Sequence, residues 1–362
     1  MTFFSTIQVL RGAAALLVVL FHLVDAERIY GRGVMLLDGV ARLGFAGVDV
    51  FFVISGFVMA TIAGGQYGSL GNAGRFLARR AVRILPLYWV FTSLIVLILI
   101  FLPDAVDASF HTKSMAASYL LWPQQEFPLL QVGWTLIYEA FFYLMMAFAL
   151  AALDERRAPW YLLVWALAVG SLQFASVSEP WQVVVTSPMA WEFIAGALVG
   201  LYWRRIPTRL GRPSFWLGAF GFAVAMFTLS RLGFWDQEQL RRTLVFGSCS
   251  TAIVLGLVVR ENTRNKRPHV WLRVLGDASF SIYLSHLFVI TACARMWGRS
   301  GLNSAWPEHA AFIAVTMAAS VAAGVICYHL IERPLFSITR MASTDRPLPV
   351  AQSFLKKRGQ VH

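Results

Sequence analysis

Residues 4–25 read FSTIQVLRGAAALLVVLFHLVD, and this stretch decides the fold. Between Ile7 and Val24 it holds one charged residue, Arg11, and one histidine, His22. A helix of about 20 apolar residues is long enough to cross the hydrocarbon core of a membrane. The internal arginine and the lack of a small-residue cleavage site argue against a signal peptide. The stretch therefore predicts a membrane-spanning helix over residues 7–25.

Nine more apolar runs of similar length follow in the 362 residues, of which 58% are hydrophobic and only 14% charged. A soluble domain carries about 25% charged residues, so an ordinary soluble protein is excluded. The ten predicted spans are 7–25, 45–63, 84–103, 133–153, 160–176, 185–203, 214–231, 244–260, 274–295 and 308–331. The chain is therefore expected to be an all-α integral membrane protein, with about ten transmembrane helices in one bundle and a membrane-embedded domain over residues 5–338.

The net charge of +12 has a topological explanation. The loops after the even-numbered helices, together with the C-terminal tail, hold 21 of the 31 Lys and Arg residues, and the loops after the odd-numbered helices hold 9. Basic residues accumulate in cytoplasmic loops, so both termini are predicted to be cytoplasmic. The basic residues therefore indicate topology and not a nucleic-acid site. The tail 339–362 is basic and is expected to be a disordered cytoplasmic segment near anionic lipid.

Two polar residues of the first span lie on one helical face. Arg11 and His22 are eleven positions apart, which at 100° per residue brings them back to one side, about 16 Å apart along the helix. Polar groups at membrane depth are costly and are therefore candidate functional residues. The alternatives are an arginine that reaches the membrane surface and a histidine bonded to a neighbouring carbonyl.

Glu139, in GWTLIYEAFFY, is the second deep polar group of interest. It lies about six residues inside its span, or roughly 9 Å from the outer surface, at the depth of His22. A carboxylate beside an imidazole can orient it as a general base. Pairing with an arginine or tyrosine for packing alone is the alternative. For three further polar residues within spans, Asp49, Glu192 and His286, structural pairing is the favoured interpretation.

Four arginines, Arg75, Arg79, Arg80 and Arg83, lie in the loop before the third span. Arg80 and Arg83 are three apart and so share a helical face at the cytoplasmic side. Two guanidinium groups suit a multiply phosphorylated ligand. An ordinary arginine-rich cytoplasmic loop is the alternative. Ser55 is a weaker candidate to line a tunnel, since its hydroxyl could instead bond back to its own helix.

These segments together resemble the integral-membrane acyltransferase family 3, in particular its exopolysaccharide-acetylating branch. The resemblance covers nearly all of residues 5–338. It rests on LRGAAALLVVLFH, VDVFFVISGFVM, RRAVRILPLYW, GWTLIYEAFFY, GDASFSIYLSH and IERPL, in that order.

The resemblance implies roles for individual residues. His22 matches the histidine held to be catalytic in the family, and Glu139 matches the acid of its Trp-Thr-Leu motif. Arg80 and Arg83 match the pair held to engage the acyl donor, and Arg11 matches the helix-one arginine. The family often has an appended periplasmic hydrolase-like domain; without it, transfer must be completed within the helices or by another protein.

The expected function is transfer of an acyl group, in the first place acetyl, from cytoplasmic acyl-coenzyme A to a hydroxyl of an exopolysaccharide or other surface glycan, free or lipid-linked. His22 would act as general base or as an acyl carrier. The expected location is the bacterial inner membrane, with membrane lipid as a partner and no metal. The alternative is a non-enzymatic transporter or flippase of a glycan or lipid, with the buried His and Glu as a proton relay.

Overall fold

The structure is a computed structural model that describes residues 4–33, 35–37, 39–103, 110, 112–233, 239–261 and 268–342, with side chains as far as residue 337. Within these ranges every regular element is helical. This confirms the predicted all-α class. In lipid, a long apolar segment must satisfy the hydrogen bonds of its own backbone, and a helix does this within a single segment.

Ten helices correspond to the ten predicted spans, and we number them α1 to α10. Their bounds are α1 Ser5–Tyr30, α2 Gly39–Ala63, α3 Leu70–Phe101, α4 Gln131–Ala152, α5 Ala158–Leu172, α6 Pro180–Arg205, α7 Thr208–Arg231, α8 Gln239–Glu261, α9 Ser279–Ser300 and α10 Trp306–Ser337. Within the described ranges, nine of them are long and apolar enough to cross a membrane. The exception is α5, which has 15 residues and falls short of the about 20 needed for a straight span.

The third helix begins much earlier than its apolar run. Its first residue is Leu70, and the preceding Ser69 caps it, accepting a hydrogen bond from the backbone N–H of Asn72 at 3.3 Å. Side-chain capping of this kind satisfies an otherwise unpaired N–H of the first turn. The arginines at 75–83 therefore lie on the first turns of α3. The expectation of a loop there is wrong, because a cap and good helix formers extend the helix beyond its apolar part.

Close packing of α2 against α6 fixes the middle of the bundle. A Cβ on Gly56 would lie 2.0 Å from the carbonyl oxygen of Phe193, and a Cβ on Gly196 would lie 2.0 Å from that of Val53. Only glycine permits this approach, as is common between helices in membranes. The contact places Ser55, the neighbour of Gly56, inside the bundle with 8% of its surface exposed.

The last described helical segment, Arg333–Ala342, overlaps the end of α10 and extends into the segment predicted as the tail. Residues 343–362, the greater part of that segment, lie outside the described residues. The predicted domain limits and the predicted orientation of the termini remain predictions.

Candidate active site

Two histidines from different helices meet in the bundle. The imidazole rings of His22 on α1 and His286 on α9 have centroids 5.1 Å apart. His22 is half-buried and also contacts the ring of Phe21, whereas His286 is fully buried. Two positively charged rings at this distance would repel each other strongly in a low-dielectric interior. The pair therefore favours at most one positive charge, as an acid–base couple requires.

The hydrogen bonds of His286 identify its proton-accepting nitrogen. Its Nδ1 lies 3.2 Å from the carbonyl oxygen of Ile282. A carbonyl only accepts hydrogen bonds, so Nδ1 carries a proton. In the neutral ring the lone pair is then on Nε2, which is buried and has no hydrogen-bond partner among the described residues. His286 thus has a basic nitrogen in the bundle interior that no described side chain uses.

Glu139 on α4 is held by two hydroxyl groups. Ser55 donates a hydrogen bond to its Oε1 at 2.8 Å, and Tyr143, one turn further along α4, donates to the same atom at 2.5 Å. The expected hydrogen bond between Glu139 and His22 does not occur among the described residues. Equal depth in the membrane does not fix the rotation of a helix, and the rotation of α4 turns this carboxylate toward Ser55.

The arginines form one electrostatic network around Glu139. The charge of Glu139 acts on both Arg11 and Arg80, and that of Glu332 acts on Arg11. Arg83 lies close enough to repel both other arginines. Asp277 and Arg273 belong to the same network, since the charges of Arg11, Arg83 and Arg273 act on Asp277. Four guanidinium groups with three carboxylates leave an excess of positive charge. Such a group stabilises a bound polyanion.

One atom of this network is a buried donor without a partner in the described part of the chain. The Nε of Arg80 is buried and has no hydrogen-bond partner among the described residues, and a buried donor without a partner is costly. An anionic oxygen atom would satisfy it. Among the described residues no three His, Cys, Asp or Glu side chains are grouped as metal ligands.

Arg11 and the histidine pair lie at different levels along α1. Arg11 and His22 are separated by about 16 Å of rise along α1. Tyr283 connects the two groups, because its ring lies 6.0 Å from that of His286 and the charge of Glu139 acts on its hydroxyl. Its hydroxyl lies 2.8 Å from the Thr135 hydroxyl and donates to the carbonyl of Val132 at 3.0 Å. The structure thus groups Arg11, Arg80, Arg83, Ser55 and Glu139, and pairs His22 with His286 further along α1.

Asp49 belongs to a separate ion pair. The guanidinium of Arg242 on α8 contacts both of its carboxylate oxygens, at 2.9 to 3.0 Å, and both side chains are almost fully buried. Arg242 also lies over the ring of Phe45 at 4.6 Å. The buried Glu192 carboxyl interacts electrostatically with this pair. The predicted structural pairing of Asp49 is confirmed.

Sequence reasoning did not single out Tyr143 or Glu332, and it treated His286 as structural. Tyr143 stands four residues after Glu139, the spacing of neighbours on a helical face. Glu332 and His286 lie within IERPL and GDASFSIYLSH. Both residues therefore lie within motifs that carry the family resemblance, but a single sequence does not show which motif residues contact each other.

Comparison with known proteins identifies the class that this fold and site define. The family described as "Acyltransferase domain" matches residues 4–328. The chain belongs to that family and is a membrane-embedded acyltransferase, which confirms the expected enzyme class.

Individual relatives agree with this assignment. The chain is 31% identical over 304 residues to the exopolysaccharide production protein ExoZ of Rhizobium meliloti (strain 1021), covering 81% of this chain and 90% of the relative. It is 24% identical to nodulation protein 10 of Rhizobium leguminosarum bv. viciae, covering 84% of this chain and 85% of the relative. It is 25% identical to the putative peptidoglycan O-acetyltransferase YrhL of Bacillus subtilis (strain 168), covering 82% of this chain and 51% of the relative. No solved structure matches the chain.

Proposed function

We propose that this protein is an O-acyltransferase of the bacterial inner membrane that moves an acyl group, in the first place acetyl, from acyl-coenzyme A to a hydroxyl of an exopolysaccharide or other surface glycan. The names of its relatives support a glycan acceptor and an O-acetyl product. The observation that carries the proposal is the arrangement of charge. An arginine network lies near one end of α1, and a pair of histidines lies about 16 Å deeper.

This arrangement matches the shape of acyl-coenzyme A. The phosphates of the donor lie at one end and its thioester at the end of a long, thin pantetheine arm. Arg80 and Arg83 would hold the phosphates, and Arg11, on the face of His22, would mark the entrance for the arm. With the predicted topology, this entrance faces the cytoplasm, where the donor is made. The acceptor then reaches the histidines from the opposite side of the membrane.

The chemistry follows from the two histidines. The acceptor hydroxyl attacks the thioester carbonyl while His22 takes its proton, and the C–S bond breaks as the new C–O bond forms. The proton then passes to the departing coenzyme A sulfur, so the products are an O-acyl ester and a free thiol. General-base assistance of this kind typically contributes about 10²- to 10⁴-fold in rate. His286, with Nε2 as its basic atom, provides a neighbouring site for the proton.

The proposal is tested with purified protein in lipid nanodiscs. Acetyl-coenzyme A is supplied together with exopolysaccharide from cells that lack the gene. Release of free thiol, and a matching gain of acetyl ester on the glycan by mass spectrometry, are expected. Thiol release without acetyl transfer to any glycan would contradict the acceptor class. No use of acetyl-coenzyme A, together with proton-coupled movement of a glycan lipid, would favour the exporter alternative instead.

A further inference from the structure

The structure contains a second cationic site, far from the arginine network. A cavity of about 770 Å³, the distal cavity, opens where the C-terminal ends of α1, α3 and α9 meet. Its lining includes Arg32, Arg295, Arg299, Asn303, Phe101 and Leu102. From Arg83 to Leu102 the rise along α3 is about 28 Å, so the cavity lies at the other surface of a membrane-sized bundle.

The lining of the distal cavity is basic in the described part of the chain. Arg32, Arg295 and Arg299 line it with no carboxylate among the described lining residues, and Arg295 already has an interaction within the protein. The nearby Asp25 is already paired with Arg28, at 3.5 Å. Basic residues are disfavoured in loops on the side predicted to face outside, yet two of the nine found there, Arg32 and Arg299, meet at this cavity beside Arg295. Their convergence indicates a ligand that carries negative charge.

A buried polar network builds the wall of the cavity around Asn303, which is 2% exposed. Its side-chain amide donates to the carbonyl of Tyr30 at 2.7 Å, and its own carbonyl accepts from the backbone N–H of Arg32 at 2.6 Å. The same carbonyl lies 3.1 Å from Nε2 of His309, whose Nδ1 lies 2.7 Å from Oε1 of the buried Glu27. The wall is therefore fixed by side chains that reach into the bundle.

Asn303 also has an unused acceptor. Its Oδ1 is buried and has no hydrogen-bond partner among the described residues. An amide oxygen can accept two hydrogen bonds, and this one accepts none from the described residues. The wall beside the arginines thus contains a buried polar atom whose hydrogen-bonding capacity is not used within the described structure.

The rim of the cavity is apolar. Ile29, Phe101 and Leu102 line it and are 72%, 74% and 60% exposed. In a membrane these side chains lie beside lipid chains, so the cavity has a route open to a hydrocarbon tail. His22 lies eight residues before Tyr30 on α1, or about 12 Å deeper.

We propose that the distal cavity binds the phosphate group of a lipid-linked saccharide, the acceptor of the acyl group. The arginines hold the phosphate, the hydrocarbon tail leaves past Phe101, and the saccharide extends toward His22. This inference rests on the proposed function and adds the class of its acceptor. The arginines would also stabilise the C-terminal ends of α1 and α9 through the helix dipole, but that role alone requires no ligand.

The test measures binding of farnesyl diphosphate to the full-length protein in phosphatidylcholine nanodiscs. Inorganic pyrophosphate and farnesol serve as probes of the two halves of the ligand. The double variant Arg32→Gln/Arg299→Gln should bind farnesyl diphosphate roughly tenfold more weakly, because two charge-assisted contacts are lost. Arg28→Gln, on the same helix end and paired with Asp25, should bind it normally. In the wild type, binding should weaken as salt is raised.

Three results would overturn the inference. One is equal binding of farnesyl diphosphate by the wild type and the double variant. Another is full competition by phosphatidylglycerol, which would indicate a site for bulk lipid. The third is a double variant with a lower Tm and unchanged binding, which would reduce the arginines to helix stabilisers. Release of thiol from acetyl-coenzyme A is measured in parallel, so that loss of the proposed function is seen separately from loss of acceptor binding.

Discussion

The imidazole rings of His22 on α1 and His286 on α9 lie 5.1 Å apart with an angle of 43° between their planes. They come from opposite parts of the chain and meet where no other charged side chain forms a hydrogen bond with them among the described residues. The Nε2 of His286 is left as a basic atom without a partner in the described structure. The proposed mechanism assigns its proton transfer to this pair.

Replacement of His22 should stop transfer. In His22→Ala, we expect the rate of acyl transfer to fall by about 10² or more, since the general base is removed. Binding of acyl-coenzyme A should stay within twofold of the wild type, because the arginines are untouched. The two quantities are measured by thiol release and by equilibrium binding. Normal specific activity in folded His22→Ala would contradict the mechanism but not the family assignment.

Replacement of His286 separates a proton-transfer role from a packing role. His286→Gln keeps a polar side chain of similar size, so the amount of folded protein should change little. If Nε2 accepts a proton, kcat should fall by at least about tenfold and its dependence on pH should change shape, with KM for the donor unchanged. The exposed His329 on α10 provides a control, since His329→Gln should leave both unchanged. A loss of folded protein with normal kcat would assign His286 to packing.

The arginine pair should govern donor affinity. Arg80→Ala and Arg83→Ala should each weaken binding of acyl-coenzyme A by about tenfold or more, because a charge-assisted contact to phosphate is lost. Lysine at either position should restore only part of the affinity, since a point charge cannot replace the guanidinium fork. The exposed Arg75, on the same helix, is the matched control. Unchanged affinity for acyl-coenzyme A in the double alanine variant would show that these arginines determine membrane topology and do not bind the donor.

The Asp49–Arg242 pair should control stability. Arg242→Met removes one partner of a buried ion pair and leaves Asp49 without its counter-charge, at a cost of about 3–5 kcal/mol. We expect a clear fall in Tm in detergent. The exposed Arg241, substituted in the same way, should have a much smaller effect. A wild-type Tm in Arg242→Met would show that the pair contributes little to the fold.

Orientation can be tested by cysteine labelling after the three native cysteines are replaced. A probe at Ser114, in the connection between α3 and α4, should react with a reagent that cannot cross the membrane. A probe at Ser343, outside the described residues, should react only after the cells are opened. The reverse pattern would place the arginine network on the outer side and would invalidate the proposed entry of acyl-coenzyme A.

The all-helical membrane class followed from the sequence, and so did the separation of Arg11 from His22 along α1. Apolar runs specify membrane helices because a backbone in lipid must satisfy its own hydrogen bonds, and the fixed rise of a helix converts residue number into depth. From the sequence alone, Arg11 and His22 could therefore be assigned to one face of α1 and to two different positions along its axis. The overlap of α3 with its arginine-rich start was missed because capping by Ser69, and not hydropathy, sets where that helix begins.

Only the tertiary structure decided which polar groups meet. Depth says nothing about the order and rotation of helices in the bundle, which depend on close contacts such as that between Gly56 and Phe193. In the packed bundle Glu139 accepts hydrogen bonds from Ser55 and Tyr143 and none from His22 among the described residues. The distal cavity likewise requires the ends of three helices to converge, and no local pattern encodes that. The sequence determined the chemistry that was available, and packing determined which groups share a site.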